Sequence, residues 1–197
     1  MMPVIPRPRR GRYSVEDLLA LPPGNEVHEL IAGRLVVSPP PVPGHRIIAG
    51  RLVQLFGAAA PEGTGASCDV ALAVGADLLV PCLVVATDAV LAEGPVVDPS
   101  QVSAVAEIVG PGKAEFDLLW KPGLYAGAGI GTYLRVEPLG LGRPLVEAFR
   151  LDGDTYVKTG EAVSGQRLRL DTPFPIKFDP GVLTAPGVSR TPGRARV

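Results

Sequence analysis

Three side chains stand inside apolar runs where a polar group is out of place. Glu29 opens "ELIAGRLVV", Cys82 sits at the centre of "LLVPCLVVATD", and Glu107 is embedded in "AVAEIVG". A carboxylate in such a run is costly unless it is paired or holds a metal. Carboxylates converging from different strands are one way proteins hold Mg2+, a hard ion that takes oxygen ligands. Lys121, on the segment after Glu107, is then placed to assist a metal-bound water or to neutralise a phosphate. Each residue also has a plainer reading. Glu29 is then a half-exposed strand-end acid, Glu107 an acid paired with a core arginine or tyrosine, and Lys121 a solvated helix lysine. Cys82 reads as a small buried hydrophobe, or as a soft-metal ligand beside His45 and Glu107, although no zinc signature spacing accompanies it. A catalytic thiol would need a base, and His28 and His45 are the two histidines of the chain.

These residues need elements to hold them. "YSVEDLLAL" predicts a short helix with Ser14 as N-cap and Asp17 completing a capping box. "HELIAGRLVVSP" predicts a hairpin turning at Ala32-Gly33. After the rigid loop "PPPVPGH", Ile47, Ile48, Leu52, Leu55, Phe56 and Ala59 fall on one helical face, giving the main amphipathic helix. "SCDVALAVG" alternates as a strand does. "DLLVPCLVVA" is apolar on both faces and predicts a central strand, with "VSAVAEIVG" another. "EFDLLWKPGLYAGAG" has helical character despite Pro122-Gly123. "GTYLRVEP", "RPLVEAFRLDGDTYVK" and "GQRLRLDTPFPIKF" read as strands, the middle one a hairpin about Asp152-Gly153-Asp154. The pattern predicts a mixed α/β or α+β domain whose sheet has about six or more strands.

The bulk composition agrees with one packed domain. The chain has 197 residues, 46% of them hydrophobic, and a formal net charge of −1. Near-neutrality removes any strong global attraction to nucleic acid or anionic membrane. Nucleic-acid contact would be local, and a groove of Arg46, Arg51, Lys113 and Lys121 is the candidate. Glycine (24) and proline (22) are abundant but follow no period, as loop punctuation does. Residues 1–12, with Arg7, Arg9, Arg10 and Arg12, read as a disordered basic tail, 13–180 as the domain, and 181–197 as a disordered C-terminal tail. No secretory leader or membrane-spanning run is evident, and the two cysteines do not form a disulfide framework. The expected location is a reducing cytoplasm.

The ordered set "HELIAGRLVVSPPPVPGH", "VPCLVV", "AEIVGPG" and "DLLWKPGLYAGAGIGTYLRVEP" resembles the Uma2 family of restriction-endonuclease-like proteins, within the PD-(D/E)XK nuclease superfamily, over roughly residues 13–180. The matching positions are Glu29 in the hairpin, His45 at the start of the long helix, Glu107, and Asp117, Lys121 and Tyr125 on the following helix, with Tyr133 beyond. The resemblance implies a restriction-endonuclease-like core: a central mixed sheet flanked by helices. It implies a metal-dependent DNA endonuclease using Mg2+ or Mn2+, with Glu29, Cys82, Glu107 and Lys121 at the catalytic positions. Glu107 and Cys82 fall at the metal positions, and His45, Arg46, Lys113 and Tyr125 are candidate DNA contacts. DNA is the implied partner, and a homodimer is the arrangement many nucleases that cut both strands adopt.

The departures are as informative. Cys82 stands where the family places the aspartate of a "P-D" pair, its principal metal ligand. A thiol is soft, and Mg2+ should not favour it. Ala32 replaces the hairpin aspartate, Gly110 and Gly112 replace serines, Leu134 replaces a tryptophan, and Pro122 should disturb the helix that aims Lys121. Asp77 has the wrong strand parity to substitute, Asp88 lies about 20 Å along an extended strand, and Asp69 is left open. Two functions follow: a nuclease of impaired activity, or a catalytically inactive module that binds DNA or protein.

Overall fold

The computed structural model describes residues 11–22, 24–94, 96–110, 116–138 and 143–184, without the side chains of 116 and 117. Arg7, Arg9, Arg10, Lys113 and residues 185–197 lie outside the described residues, as does the side chain of Asp117.

The N-terminal third follows its local signals. Helix α1 (Val15–Leu19) starts at Ser14, whose hydroxyl and the Asp17 carboxylate form the reciprocal capping box. Strands β1 (Val27–Ile31) and β2 (Arg34–Ser38) are joined by a two-residue turn with φ of 52° at Ala32 and 74° at Gly33. Positive φ at both central residues is the tight-hairpin signature, natural for glycine and strained for alanine. Helix α2 (Pro43–Ala59) has a proline in its first turn, where the missing N–H is no loss.

Next come β3 (Thr64–Ser67), β4 (Ala71–Val74), β5 (Asp77–Leu79) and β6 (Leu83–Thr87). The run expected as one strand around Cys82 is therefore two strands, and they belong to different sheets. Pro81 is the physical reason: it donates no ladder hydrogen bond, and the chain turns from one sheet to the other across Val80–Cys82. A short helix not expected from the sequence, α3 (Asp88–Glu93), follows β6 and is capped by the Thr87 hydroxyl. Then come β7 (Val96–Val97), β8 (Val102–Ile108), one π-helical turn (Phe116–Trp120) and α4 (Lys121–Gly127). The chain continues with β9 (Thr132–Glu137), β10 (Leu145–Asp152), β11 (Thr155–Val163), β12 (Leu168–Leu170) and β13 (Ile176–Phe178). The last two form a separate small hairpin where one strand was expected.

The larger sheet has order β11-β10-β9-β8-β6-β3 and is mixed, because β8 and β9 run parallel while its other neighbours are antiparallel. A second sheet, β2-β1-β5-β4-β7, accompanies it. The large sheet is covered on both faces. On one, Ile48, Leu52 and Phe56 of α2 pack on Leu83, Val85, Ala104 and Ala106. On the other, Val84 and Val105 pack with Tyr125, Tyr133 and residues of the second sheet such as Ile31, Leu72 and Leu79. The fold is the expected mixed α/β arrangement, with two substantial sheets where the sequence indicated one. Parallel β8 and β9 cannot be joined by a tight turn, so a crossover must link them, and α4 lies in that crossover.

Candidate active site

Strand alternation aims the central acid. On β8, Ala104, Ala106 and Ile108 join the α2 side of the core and Val105 the opposite side. Glu107 therefore projects toward the face carrying Tyr125. Helix α4 brings Lys121 and Tyr125 there from above, since residues four apart share a helical face. Pro122 does not disturb that placement. It lies in the first turn of α4, directly after the π-helical turn Phe116–Trp120, so the helix is irregular where a disturbance was expected, yet Lys121 still reaches the cluster. Glu29 arrives from β1 in the second sheet.

These groups meet in the interior. Lys121 Nζ lies 2.9 Å from Glu29 Oε1 and 3.1 Å from Glu107 Oε1. Glu29, Lys121 and Glu107 are 1%, 1% and 2% exposed, which excludes the solvated readings of Glu29 and Lys121. The Val80 amide donates to Glu29 Oε1 at 3.0 Å, and the Tyr125 hydroxyl donates to Glu107 Oε1 at 2.5 Å. Burial, reinforced by the charges of Glu107 and Glu29, pushes the Tyr125 phenol well above its usual range. Tyr125 thus stays a donor that orients the carboxylate. It is fully enclosed, with its hydroxyl inside the cluster rather than at the surface.

Cys82 adjoins the other oxygen of Glu107. Its Sγ lies 3.7 Å from Glu107 Oε2 and 3.3 Å from His45 Nε2, and it accepts the Ile108 amide at 3.4 Å. Its own amide donates to Ala106 O at 2.9 Å, which fixes the thiol beside β8. The structure thus gathers Glu29, His45, Cys82, Glu107, Lys121 and Tyr125. It does not gather the acids weighed as substitutes for an aspartate at position 82. Asp77 accepts from the Ala32 amide at 2.7 Å, Asp88 opens α3, and Asp69 sits in a bend where the Cys68 thiol donates to it at 3.6 Å.

The proposed basic groove loses one of its members. Lys121 is internal, and Arg51 Nη1 donates to Val182 O at 3.0 Å, tying α2 to the C-terminal segment. Arg46 remains exposed, with its Nε donating to Pro41 O at 3.2 Å.

A further buried acid escaped the sequence reading. Glu147, in the run "LVEAF", pairs in register with Arg135, and Arg135 pairs with Glu107 on its other side. Glu147 is 6% exposed, hydrogen-bonds Arg135, and accepts from Lys158 at 2.8 Å. Burial raises its carboxyl, but hydrogen bonds from Lys158 and Arg135 outweigh that, and it lies below the usual glutamate range. The signal was present: an acid in an apolar run, as for Glu29 and Glu107.

The donors do not make an oxygen cage for Mg2+. Among the described residues, no three His, Cys, Asp or Glu side chains already stand as a ready ligand set. A sulfur, which a hard ion disfavours, stands beside Glu107 Oε2.

Comparison with known proteins now bears on this geometry. No curated protein matches. A crystal structure of a putative nuclease belonging to DUF820, from Anabaena variabilis ATCC 29413, superposes with a TM-score of 0.61 at 16% identity, covering 78% of this chain and 84% of that one. At that identity the likeness shows the fold. The Uma2 family model, described as "Putative restriction endonuclease", matches residues 15–185, nearly the whole described chain. The chain belongs to the Uma2 family.

Proposed function

We propose that this protein is a nuclease-type domain acting on DNA phosphodiesters, with activity held low by Cys82. The observation that carries this reading is the pairing of Cys82 Sγ with Glu107 Oε2 at 3.7 Å, next to a buried Lys121 bridging Glu107 and Glu29. Two carboxylates and an ammonium in one enclosed cluster suit phosphoryl chemistry: the lysine offsets anionic charge, and the acids orient a water or accept its proton. A second oxygen anion beside Glu107 would complete such a site, and a thiol supplies none.

The test is plasmid nicking with Mg2+ and with Mn2+, comparing wild type with Cys82→Asp. The variant is expected to nick at least about tenfold faster. Equal rates would overturn the role given to Cys82.

A second reading, a binding module without catalysis, is favoured by the enclosure of Lys121 between two carboxylates, which leaves its ammonium internal. It predicts binding of duplex DNA that weakens with added salt, with no cleavage by either protein.

A further inference from the structure

We infer that the cavity between α4 and the β10–β11 hairpin takes a planar heteroaromatic ring of the nucleobase class, one bearing an exocyclic amine. The inference deepens the nuclease reading and rests on it for the class of ligand. The cavity measures about 280 Å3. That lies at the small end of ligand pockets, about 300–1,000 Å3, and suits a single ring system. Pro122, Gly123 and Ala126 of α4 form one wall. Tyr133, Arg135, Phe149 and Tyr156 form the other. Strand register puts these four on the sheet face that carries Glu107, with Arg135 its direct partner on β9. Helix α4 therefore serves two places. Lys121 and Tyr125 enter the charge cluster, while Pro122 and Ala126, also four apart, line the cavity.

The aromatic wall is already a stack. The Tyr133 ring centroid lies 5.5 Å from that of Phe149 and 5.4 Å from that of Tyr156, at interplanar angles of 30° and 35°. Arg135 Cζ stands 5.6 Å from the Phe149 centroid. Aromatic rings and guanidinium planes are the surfaces on which proteins stack bases. A quaternary ammonium is the other ligand that aromatic pockets take, but here it would meet the Arg135 cation in the wall. Gly123 points the same way. Its position is helical, where glycine weakens the element, and a side chain there would meet open space. Neither backbone conformation nor crowding calls for glycine, whereas an open cavity does. The Tyr156 hydroxyl is spent on Ile130 O at 2.7 Å, so its ring is what it offers a ligand. At the rim, Asp154 and Thr155, leading into β11, add a carboxylate and a hydroxyl. A carboxylate accepts from an exocyclic amine and repels a carbonyl edge, which favours cytosine or adenine over thymine.

The readout is binding, without added metal and without cleavage, so this inference and the nuclease reading fail separately. Full-length protein is titrated with deoxycytidine monophosphate, deoxythymidine monophosphate and base-free deoxyribose phosphate, and the ligand NMR signals are followed. Deoxycytidine monophosphate is expected to saturate at one per chain and to bind at least about tenfold more tightly than the sugar phosphate. Deoxythymidine monophosphate should bind at least about threefold more weakly than the cytidine nucleotide, a difference that Asp154→Ala removes. Gly123→Leu, which fills the cavity from α4, and Tyr156→Ala should each weaken binding at least about tenfold. Tyr156→Phe keeps the ring and should keep the binding. Circular dichroism establishes that each variant is folded, and Tyr156→Ala serves if Gly123→Leu is not. Sugar phosphate bound as tightly as the nucleotides, undiminished binding in the folded cavity variants, or tetramethylammonium bound in their place would overturn the inference. Nucleotide binding of the expected kind, with no nicking by wild type or Cys82→Asp, would count against the nuclease reading alone.

Discussion

At the scale of single residues, the site is a buried charge cluster in which Lys121 is the keystone. Removing one partner of a buried ion pair leaves the other charge uncompensated, which costs about 3–5 kcal/mol. Lys121→Met should therefore destabilise by that order in urea unfolding, because Glu29 and Glu107 would both lose the ammonium that lies between them. Adding Glu29→Gln to Lys121→Met should recover part of the loss. A cost below about 1 kcal/mol for Lys121→Met would contradict the buried pairing. The residue types of this cluster were readable in the sequence as acids in apolar runs. Their mutual contacts were not, because pairing is decided by which sheet face each strand presents. Tyr125 illustrates this: its spacing from Lys121 was visible, but its burial against Glu107 was not.

At the scale of elements, turn chemistry was the most legible feature. The Ala32-Gly33 turn and the Asp152–Asp154 turn both fall where the sequence placed hairpins. Ala32 nevertheless holds φ of 52°, a conformation that costs a non-glycine residue about 1–2 kcal/mol and that asparagine tolerates better. Ala32→Asn should raise stability by about 0.5–1 kcal/mol, measured as a shift in the urea midpoint with unchanged slope. A loss of stability would count against the strained-turn assignment. The run around Cys82 was the least legible element. Its apolar pattern fits one long strand, and hydropathy alone does not report that Pro81 marks a change of sheet. The short helix α3 was hidden for a related reason: six residues give too little periodicity, and its clearest signal is Thr87 as cap.

At the scale of the whole molecule, the order of predicted elements indicated a mixed α/β fold, and the structure agrees. The second sheet was not separable in advance, because its strands β4, β5 and β7 are two to four residues long. Across the large sheet, the row Glu107, Arg135, Glu147 links three neighbouring strands, with Lys158 reaching in from β11. The Glu147 carboxyl lies below its ordinary value of 4.5, so it binds protons less readily folded than unfolded. Its contribution to stability is present above that ordinary value and is lost as pH falls through the lower folded one. Urea stability of the wild type should drop on acidification from pH 7 to about pH 3 more than that of Glu147→Gln. Parallel pH curves would refute this.

The Lys121 contacts also have a kinetic meaning. Glu29 belongs to the second sheet, Glu107 to the large one, and the lysine fastens them together. The amide of Val80 reaches Glu29 across 51 residues of sequence. Contacts between such distant segments form only after much of the chain has been ordered. The cluster is therefore an interlock that closes late in folding. Unfolding that begins by parting the two sheets would extinguish the site before the secondary structure is lost.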